Sequence, residues 1–98
     1  MTDAGDVHLA DVGAETRRHV VVVSSARFHR LTGRAIVAPI APTDPLDIDD
    51  PFFVDAGTDT VHVASLRSTP IERLLERTDR LPASTVRDVR RAVLEALR

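Results

Sequence analysis

The sequence predicts a mainly β protein, a small closed barrel completed by one C-terminal helix. Several short segments alternate apolar and polar side chains or consist of β-branched residues, as strands do. The final segment instead repeats apolar side chains at helical spacing. The chain has 98 residues, and closing the sheet removes strand edges that so short a chain could not otherwise cover. We expect a single domain over residues 1–98.

Two strands are predicted in the first quarter of the chain. Residues 6–12 alternate apolar and polar side chains, which indicates a strand with one buried face. Residues 19–23 end in a run of valines, which is typical of a strand buried on both faces. A short polar connection is expected between them, at residues 13–18.

A short helix is predicted between the second and third strands. The serine pair at 24–25 can cap a helical turn over residues 26–31, and Gly33 suits its end. Residues 34–40 then resume extended structure. Because Pro39 cannot donate to a strand ladder, we expect that end of the strand at a sheet edge or a bulge.

The second half of the chain alternates turns with short ordered segments. Residues 41–51 hold three prolines and four aspartates, which mark a solvated loop. A hairpin is expected from residues 52–54 to residues 60–64. Pro70 at a first helical position predicts a short helix over residues 71–75.

The C-terminal segment, residues 84–98, is the predicted amphipathic helix. Arginines alternate with acidic residues over its polar surface, which is typical of a solvated face. The apolar stripe belongs either to the core or to a dimer interface, and the sequence leaves both open. The residues of this stripe are Val86, Val89, Val93 and Leu97.

The composition excludes several kinds of site. Without cysteine, the chain can form no disulfide, thiolate metal site or cysteine nucleophile, and it suits a reducing cytosol. The histidines lack metal-ligand spacing and the acidic loop lacks the Gly and Glu of a calcium loop, so we expect no metal and no cofactor. No apolar run reaches the length of a membrane span, and we expect a cytoplasmic protein.

Charge is unevenly distributed along the chain. Residues 1–60 contain five Arg and ten acidic residues, whereas residues 61–98 contain eight Arg and five acidic residues. All thirteen basic residues are Arg; Arg suits bidentate phosphate contacts, although genomic base composition explains the bias more simply. With three Phe and no Trp or Tyr, a nucleic-acid contact would depend on Arg and His rather than on base stacking.

An ordered set of motifs places the chain near a known family. Gly5-Asp6-Val7 precedes Arg18, which stands before an aliphatic strand that ends in Ser24. Residues 28–40 follow as Phe-His-Arg-Leu-Thr-Gly-Arg and another aliphatic strand, and three further segments lead to the final helix, residues 66–70, 72–75 and 80–82. In this order and spacing the chain resembles the MazF/PemK (Kid) toxins of type II toxin–antitoxin systems.

The resemblance implies an SH3-like barrel of the CcdB/MazF toxin fold that forms a homodimer and cleaves single-stranded RNA without a metal. It also implies a cognate antitoxin with an acidic tail as inhibitor. Such cleavage needs a base, an acid and a cation around one phosphodiester, because a ribose 2′-oxygen attacks its own phosphate. The alternatives are a non-catalytic binding protein of the same fold, either a CcdB-like gyrase poison or an antitoxin-binding module, and an inactive barrel.

Two residues near the first loop are catalytic candidates through this resemblance. Arg18 matches the family's catalytic arginine, and a guanidinium there would stabilise charge on the phosphorane without titrating. Without the resemblance, Arg17 and Arg18 would be solvated turn charges. Glu15 stands in a shortened version of the family's first loop and could carry a proton, although a lone exposed Glu is more often only solvated.

The remaining candidates depart from the family pattern. Ala41 replaces the family's threonine at the end of the third strand, which removes a hydroxyl expected beside the scissile phosphate. Thr43 could reach the same space or serve only in a turn. His62 could recover acid/base chemistry near neutral pH, although a lone His on an alternating strand is usually structural. The residues expected around the RNA are Arg17, His19, Thr43 and Arg67.

Overall fold

The computed structural model describes residues 2–13, 16–44 and 51–98. Within these ranges the elements follow in the order β1 (Asp6–Gly13), β2 (Thr16–Val22), α1 (Ala26–Thr32), β3 (Arg34–Pro42), β4 (Phe53–Ala56), β5 (Asp59–His62), β6 (Arg67–Pro70), β7 (Leu74–Arg80) and α2 (Ala83–Ala96). Two 3-10 turns, Val63–Ser65 and Ile71–Arg73, precede β6 and β7. Glu15 and residues 45–50 of the predicted acidic loop lie outside the described residues.

The described strands form one antiparallel sheet that curls into a barrel. Its strand order is β4, β5, β3, β2, β1, β7, and β6 also pairs with β3. One edge of β3 therefore has two partners, since residues 40–42 pair with β5 and residues 34–37 with β6. The chain passes from β6 through a 3-10 turn into β7, which pairs with β1. This arrangement, with α2 at the C-terminus, confirms the predicted fold class.

Apolar side chains form one cluster on each face of the sheet. Because alternate residues of a strand point to opposite faces, Val20 and Val22 face one cluster while Val21 faces the other. The cluster that contains Val21 lies against α2, whose residue Val89 is 3% exposed. The prediction that β2 is buried on both faces is confirmed for its valines, Val20, Val21 and Val22. The barrel interior is formed by Ala10, Val20, Val22, Ala35 and Val37, with Ile71 and Leu74 packed against them.

Helix α1 is capped as the sequence predicts. The Ser25 hydroxyl accepts a hydrogen bond of 3.2 Å from the Phe28 amide. At the other end Gly33 has a left-handed φ of 69°, and its amide donates to the His29 carbonyl at 2.9 Å. The helix therefore begins and ends on local signals and turns the chain from β2 into β3.

The helix predicted over residues 71–75 is wrong. Ile71–Arg73 forms only a 3-10 turn, Pro70 ends β6 and Leu74 begins β7. Leu74 lies opposite Ala10 of β1. Because most side chains of β7 are exposed, no apolar alternation marks this strand, and its backbone pairing with β1 determines its structure.

Two other predictions in the first half of the chain are also wrong. β2 begins at Thr16, so Arg17 and Arg18 lie in a strand rather than in a connection. Pro39 lies inside β3, opposite Val20 of β2. On its other edge, β3 pairs with β6 before this position and with β5 after it. Since proline has no amide hydrogen, a position between two ladders accommodates it.

Helix α2 packs its apolar face on the sheet. Val89 and Ala92 are buried, and Val86 and Val93 pack partly buried against the same cluster. Leu97 follows the last helical residue and is 76% exposed, so it does not belong to the core part of the predicted apolar stripe. In the part of the chain that the structure describes, no helix is long and apolar enough to cross a membrane.

Candidate active site

Strand β2 presents its exposed polar side chains on alternate faces of the sheet. Arg18 lies opposite Ala10 and shares a face with Val20, so it stands where the barrel interior reaches solvent. Arg17 and His19 point to the other face, which carries the cluster packed against α2. The two neighbouring arginines therefore belong to different surfaces.

A pair of threonines lies across β3 from Arg18. Thr60 of β5 is the direct partner of Ala41, and opposite residues of antiparallel strands share a face. Thr60 is 4% exposed, and its Oγ1 lies 2.8 Å from Oγ1 of the exposed Thr43. The Thr43 amide donates to the Thr58 carbonyl at 3.0 Å. Both the backbone and the side chain of Thr43 are thus held against β5.

Arg18 and Ala41 lie at the same end of the neighbouring strands β2 and β3. The paired part of β2 and β3 ends at Val20 and Pro39, and Arg18 and Ala41 each lie two residues beyond this pair. Two residues are one full period of a strand, so the face is unchanged. Arg18 and Thr60 therefore share a face at the same end of the sheet, on either side of β3.

His62 lies on the same face of β5 as Thr60, two residues further on. Its side chain is half-buried, and its ring centroid lies 4.7 Å from that of Phe53, with an angle of 56° between the planes. Phe53 is its direct partner on β4. A cross-strand ring contact therefore holds the imidazole in place, as a residue that transfers a proton requires.

Arg67 lies further along the same edge of β3, opposite Val37 of the barrel interior. Direct partners share a face, so Arg67 lies on the face of Thr60 and His62. Thr60, His62 and Arg67 therefore lie in this order beside one edge of β3. We call the whole set the barrel-mouth cluster, and its members are Arg18, Thr43, Thr60, His62 and Arg67.

The other predicted site residues lie elsewhere. His19 lines a groove of about 380 Å³ on the opposite face, together with Asp59 and Asp79. Two carboxylates make this groove a poor place for the scissile phosphate. Arg17 shares the face of His19 and stands opposite Asp11. Glu15 is outside the described residues.

The barrel-mouth cluster combines two guanidinium groups, one imidazole and two hydroxyls. Guanidinium and hydroxyl groups donate hydrogen bonds to oxyanions, and the imidazole can accept or donate a proton. Among the described residues, no group of three or more His, Asp or Glu side chains could hold a metal ion. The arrangement is therefore suited to binding a phosphodiester and moving a proton beside it.

Thr60 is the member of this cluster that the sequence analysis missed. Its segment was predicted as a strand, but its position opposite Ala41 depends on the register between β3 and β5, which no local pattern encodes. The available signal was His62, which must share the face of Thr60 in any strand.

Comparisons with known proteins agree with this architecture. The model of the family described as PemK-like, MazF-like toxin of type II toxin-antitoxin system matches residues 3–97. None of the curated protein sequences matches the chain at a significant level.

Solved structures of similar fold include several MazF toxins. An endoribonuclease in complex with its cognate antitoxin, from a mycobacterial species, has a TM-score of 0.84 and 19% identity, covering 99% of this chain and 95% of the other. MazE–MazF from Deinococcus radiodurans has a TM-score of 0.82 and 23% identity, with coverages of 98% and 95%. MazF from the same organism has a TM-score of 0.72 and 26% identity, with coverages of 98% and 96%. The chain therefore belongs to the family of PemK-like, MazF-like toxins of type II toxin–antitoxin systems.

Proposed function

We propose that this toxin is a sequence-selective endoribonuclease that cleaves single-stranded RNA without a metal ion. The observation that carries the proposal is the barrel-mouth cluster, which places Arg18, a hydroxyl pair and His62 on one face of the sheet. Membership of the toxin family supports the same activity, and two similar structures are of endoribonucleases.

The proposed reaction is an internal transesterification of RNA. The ribose 2′-oxygen forms a bond to the adjacent phosphorus while the bond from phosphorus to the 5′-oxygen breaks. The products are a 2′,3′-cyclic phosphate and a 5′-hydroxyl. A base accepts the 2′ proton and an acid donates a proton to the departing 5′-oxygen, so atoms and charge balance.

Each described member of the cluster has a role in this proposal. Arg18 stabilises the charge that develops on the phosphorane, because a guanidinium can donate two parallel hydrogen bonds to it. His62 carries a proton, alone or together with Glu15 of the first loop. Thr43 donates to a phosphate oxygen, and Arg67 binds a neighbouring phosphate.

The proposal also concerns partners and the rest of the RNA. Arg17 and His19 lie on the opposite face, so they would contact the RNA away from the scissile phosphate. Related solved structures contain a cognate antitoxin or MazE, and we propose that an antitoxin with an acidic tail inhibits this toxin too. We further propose a homodimer acting in the cytoplasm.

The test is cleavage of mixed-sequence RNA in EDTA, with fragment ends mapped by primer extension. We expect defined cuts that carry cyclic phosphate ends, and a loss of about 100-fold or more in rate for Arg18→Ala. Arg17→Ala is the matched control for the chemical step: it removes a neighbouring arginine on the opposite face, so it should retain most of kcat, and the loss of its RNA contact should appear in KM. Intact RNA across varied substrates would refute the proposal.

A second candidate is the binding-only toxin, such as a gyrase poison. It is favoured by the exposed end of α2, where Leu94 is 58% and Leu97 76% exposed. For such a protein, growth inhibition in cells would persist in Arg18→Ala and disappear in Leu94→Ser. An RNase would show the reverse pattern, so the two variants separate the candidates.

A further inference from the structure

We propose that Thr60 is a positioning residue for RNA cleavage, holding the hydroxyl of Thr43 across β3 from Arg18 so that it donates to the scissile phosphate. The inference rests on the proposed ribonuclease function and adds to it a residue from a strand outside the family motif. It accounts for the missing threonine at position 41, because two other hydroxyls lie near Ala41. One belongs to Thr60, its partner on β5, and the other to Thr43, the residue after β3.

Thr60 is buried, but the partner of its hydroxyl is an exposed side chain. Its direct neighbour along β5 is Val61 of the apolar cluster, and Thr60 itself is 4% exposed. A valine would fill this position with the same shape and without the cost of burying a hydroxyl. The hydroxyl is instead bonded to Thr43 at 2.8 Å, so its interaction is with an exposed side chain at the edge of the cluster.

The hydrogen-bond chemistry of the pair favours an anion. Each threonine hydroxyl has one hydrogen to donate and two lone pairs to accept with. If Thr60 donates to Thr43, the hydrogen of Thr43 remains available to a ligand. A phosphate oxygen that accepts from Thr43 favours donation from Thr60 to Thr43, and each hydrogen bond in such a chain strengthens the next. The backbone bond from Thr43 to Thr58, at 3.0 Å, keeps the hydroxyl at this position.

The geometry places this donor opposite Arg18 rather than beside it. Ala41 pairs with Thr60, its strand β3 lies between β5 and β2 in the sheet, and its side chain is small and exposed. A phosphate above Ala41 would meet a guanidinium on one side and the Thr43 hydroxyl on the other. Two donors from opposite sides would orient the phosphate for attack by the 2′-oxygen.

The experiment compares Thr60→Val, Thr60→Ser, Thr43→Val and the double variant Thr43→Val/Thr60→Val with wild type. The readouts are kcat and KM on a short RNA that contains one mapped cut, and thermal unfolding of every protein. We expect Thr60→Val to lower kcat by about tenfold with little change in KM. Thr60→Ser keeps the hydroxyl and should retain most of kcat. The double variant should be no slower than Thr43→Val, because the two residues act as one unit.

The outcomes separate this inference from the ribonuclease proposal. If wild type cleaves and Arg18→Ala does not, but Thr60→Val matches wild type, the positioning role is refuted and the ribonuclease stands. Equal losses in Thr60→Val and Thr60→Ser, or additive losses in the double variant, also refute the positioning role. If wild-type protein cleaves no RNA, the ribonuclease proposal fails first and this inference fails with it.

Discussion

Arg80 donates a hydrogen bond of 2.5 Å from Nη1 to Oδ1 of Asp6, which ties the end of β7 to the start of β1. Asp6 is 1% exposed. Burial alone would raise the pKa of its carboxyl, but the Asp3 amide, the Arg80 hydrogen bond and the charges of Arg80 and Arg77 together lower it. A buried carboxylate thus joins the two strands at the seam of the barrel.

The first prediction concerns the pH dependence of stability. Because the pKa of Asp6 is lower in the folded state, its contribution is fully present above the unfolded pKa of about 4 and is lost as pH falls through the folded value. Asp6→Asn should lower the free energy of unfolding by about 1–3 kcal/mol at pH 7. Urea unfolding from pH 7 to pH 2 measures this. If the difference in unfolding free energy between Asp6→Asn and wild type stayed constant at low pH, this pH dependence could not be assigned to Asp6.

The two arginines near Asp6 provide the matched control for that experiment. Arg77 and Arg80 are equally exposed, at 58% and 57%, but Arg77 Nη1 is 3.9 Å from the carboxylate. Arg80→Ala should therefore destabilise by about 1 kcal/mol and Arg77→Ala by less than about 0.5 kcal/mol. Equal effects would mean that charge alone, rather than the hydrogen bond, stabilises the ion pair.

The second prediction concerns the contact between Gly5 and α2. Gly5 and Gly57 both have a positive φ, 94° and 84°, so alanine is strained at either position. A Cβ at Gly5 would also lie 2.6 Å from Cγ2 of Val86, whereas none would meet an atom within 4 Å at Gly57. We expect losses of about 1 kcal/mol for Gly57→Ala and about 3 kcal/mol for Gly5→Ala. Thermal unfolding decides this, and recovery in Gly5→Ala/Val86→Ala would identify the clash.

The third prediction compares two neighbouring serines. The buried Ser24 hydroxyl lies 2.6 Å from Nε2 of His29 and accepts from the Ile36 amide at 2.9 Å. Ser24→Ala leaves Nε2 of the buried His29 and the amide of the half-buried Ile36 without this partner and should cost about 2–4 kcal/mol. Ser25→Ala removes only the helix cap at Phe28 and should cost about 1 kcal/mol. The reverse order in denaturant unfolding would show that His29 is satisfied without Ser24.

The fourth prediction concerns the packing of α2. Val89 is 3% exposed in the cluster between the helix and the sheet, whereas Leu94 is 58% exposed on the same helix. Val89→Ala should destabilise by about 2 kcal/mol through lost burial and a residual cavity. Leu94→Ala should change the free energy of unfolding by less than about 0.5 kcal/mol. A large loss on Leu94→Ala in chemical denaturation would show that this leucine is covered in solution.

Local signals in the sequence determined much of this fold. The cap at Ser25 and the left-handed turn at Gly33 set both ends of α1, because these interactions join residues within one helical turn. The valines of β2 and the periodic apolar residues of α2 identified their elements through side-chain spacing alone. Ordered motifs along nearly the whole chain also pointed to the toxin family, which the match over residues 3–97 confirms.

Tertiary structure decided what depends on pairing between distant segments. β7 is a strand because its backbone pairs with β1, although the sequence at the start of β7 predicted a short helix. The site shows the same dependence. Alternation places Arg17 and Arg18 on opposite faces once both lie in β2, and only the register of β3 with β5 puts Thr60 opposite Ala41. The sequence therefore specifies candidate side chains, while strand register decides which of them meet, because a shift of one residue moves every side chain to the other face.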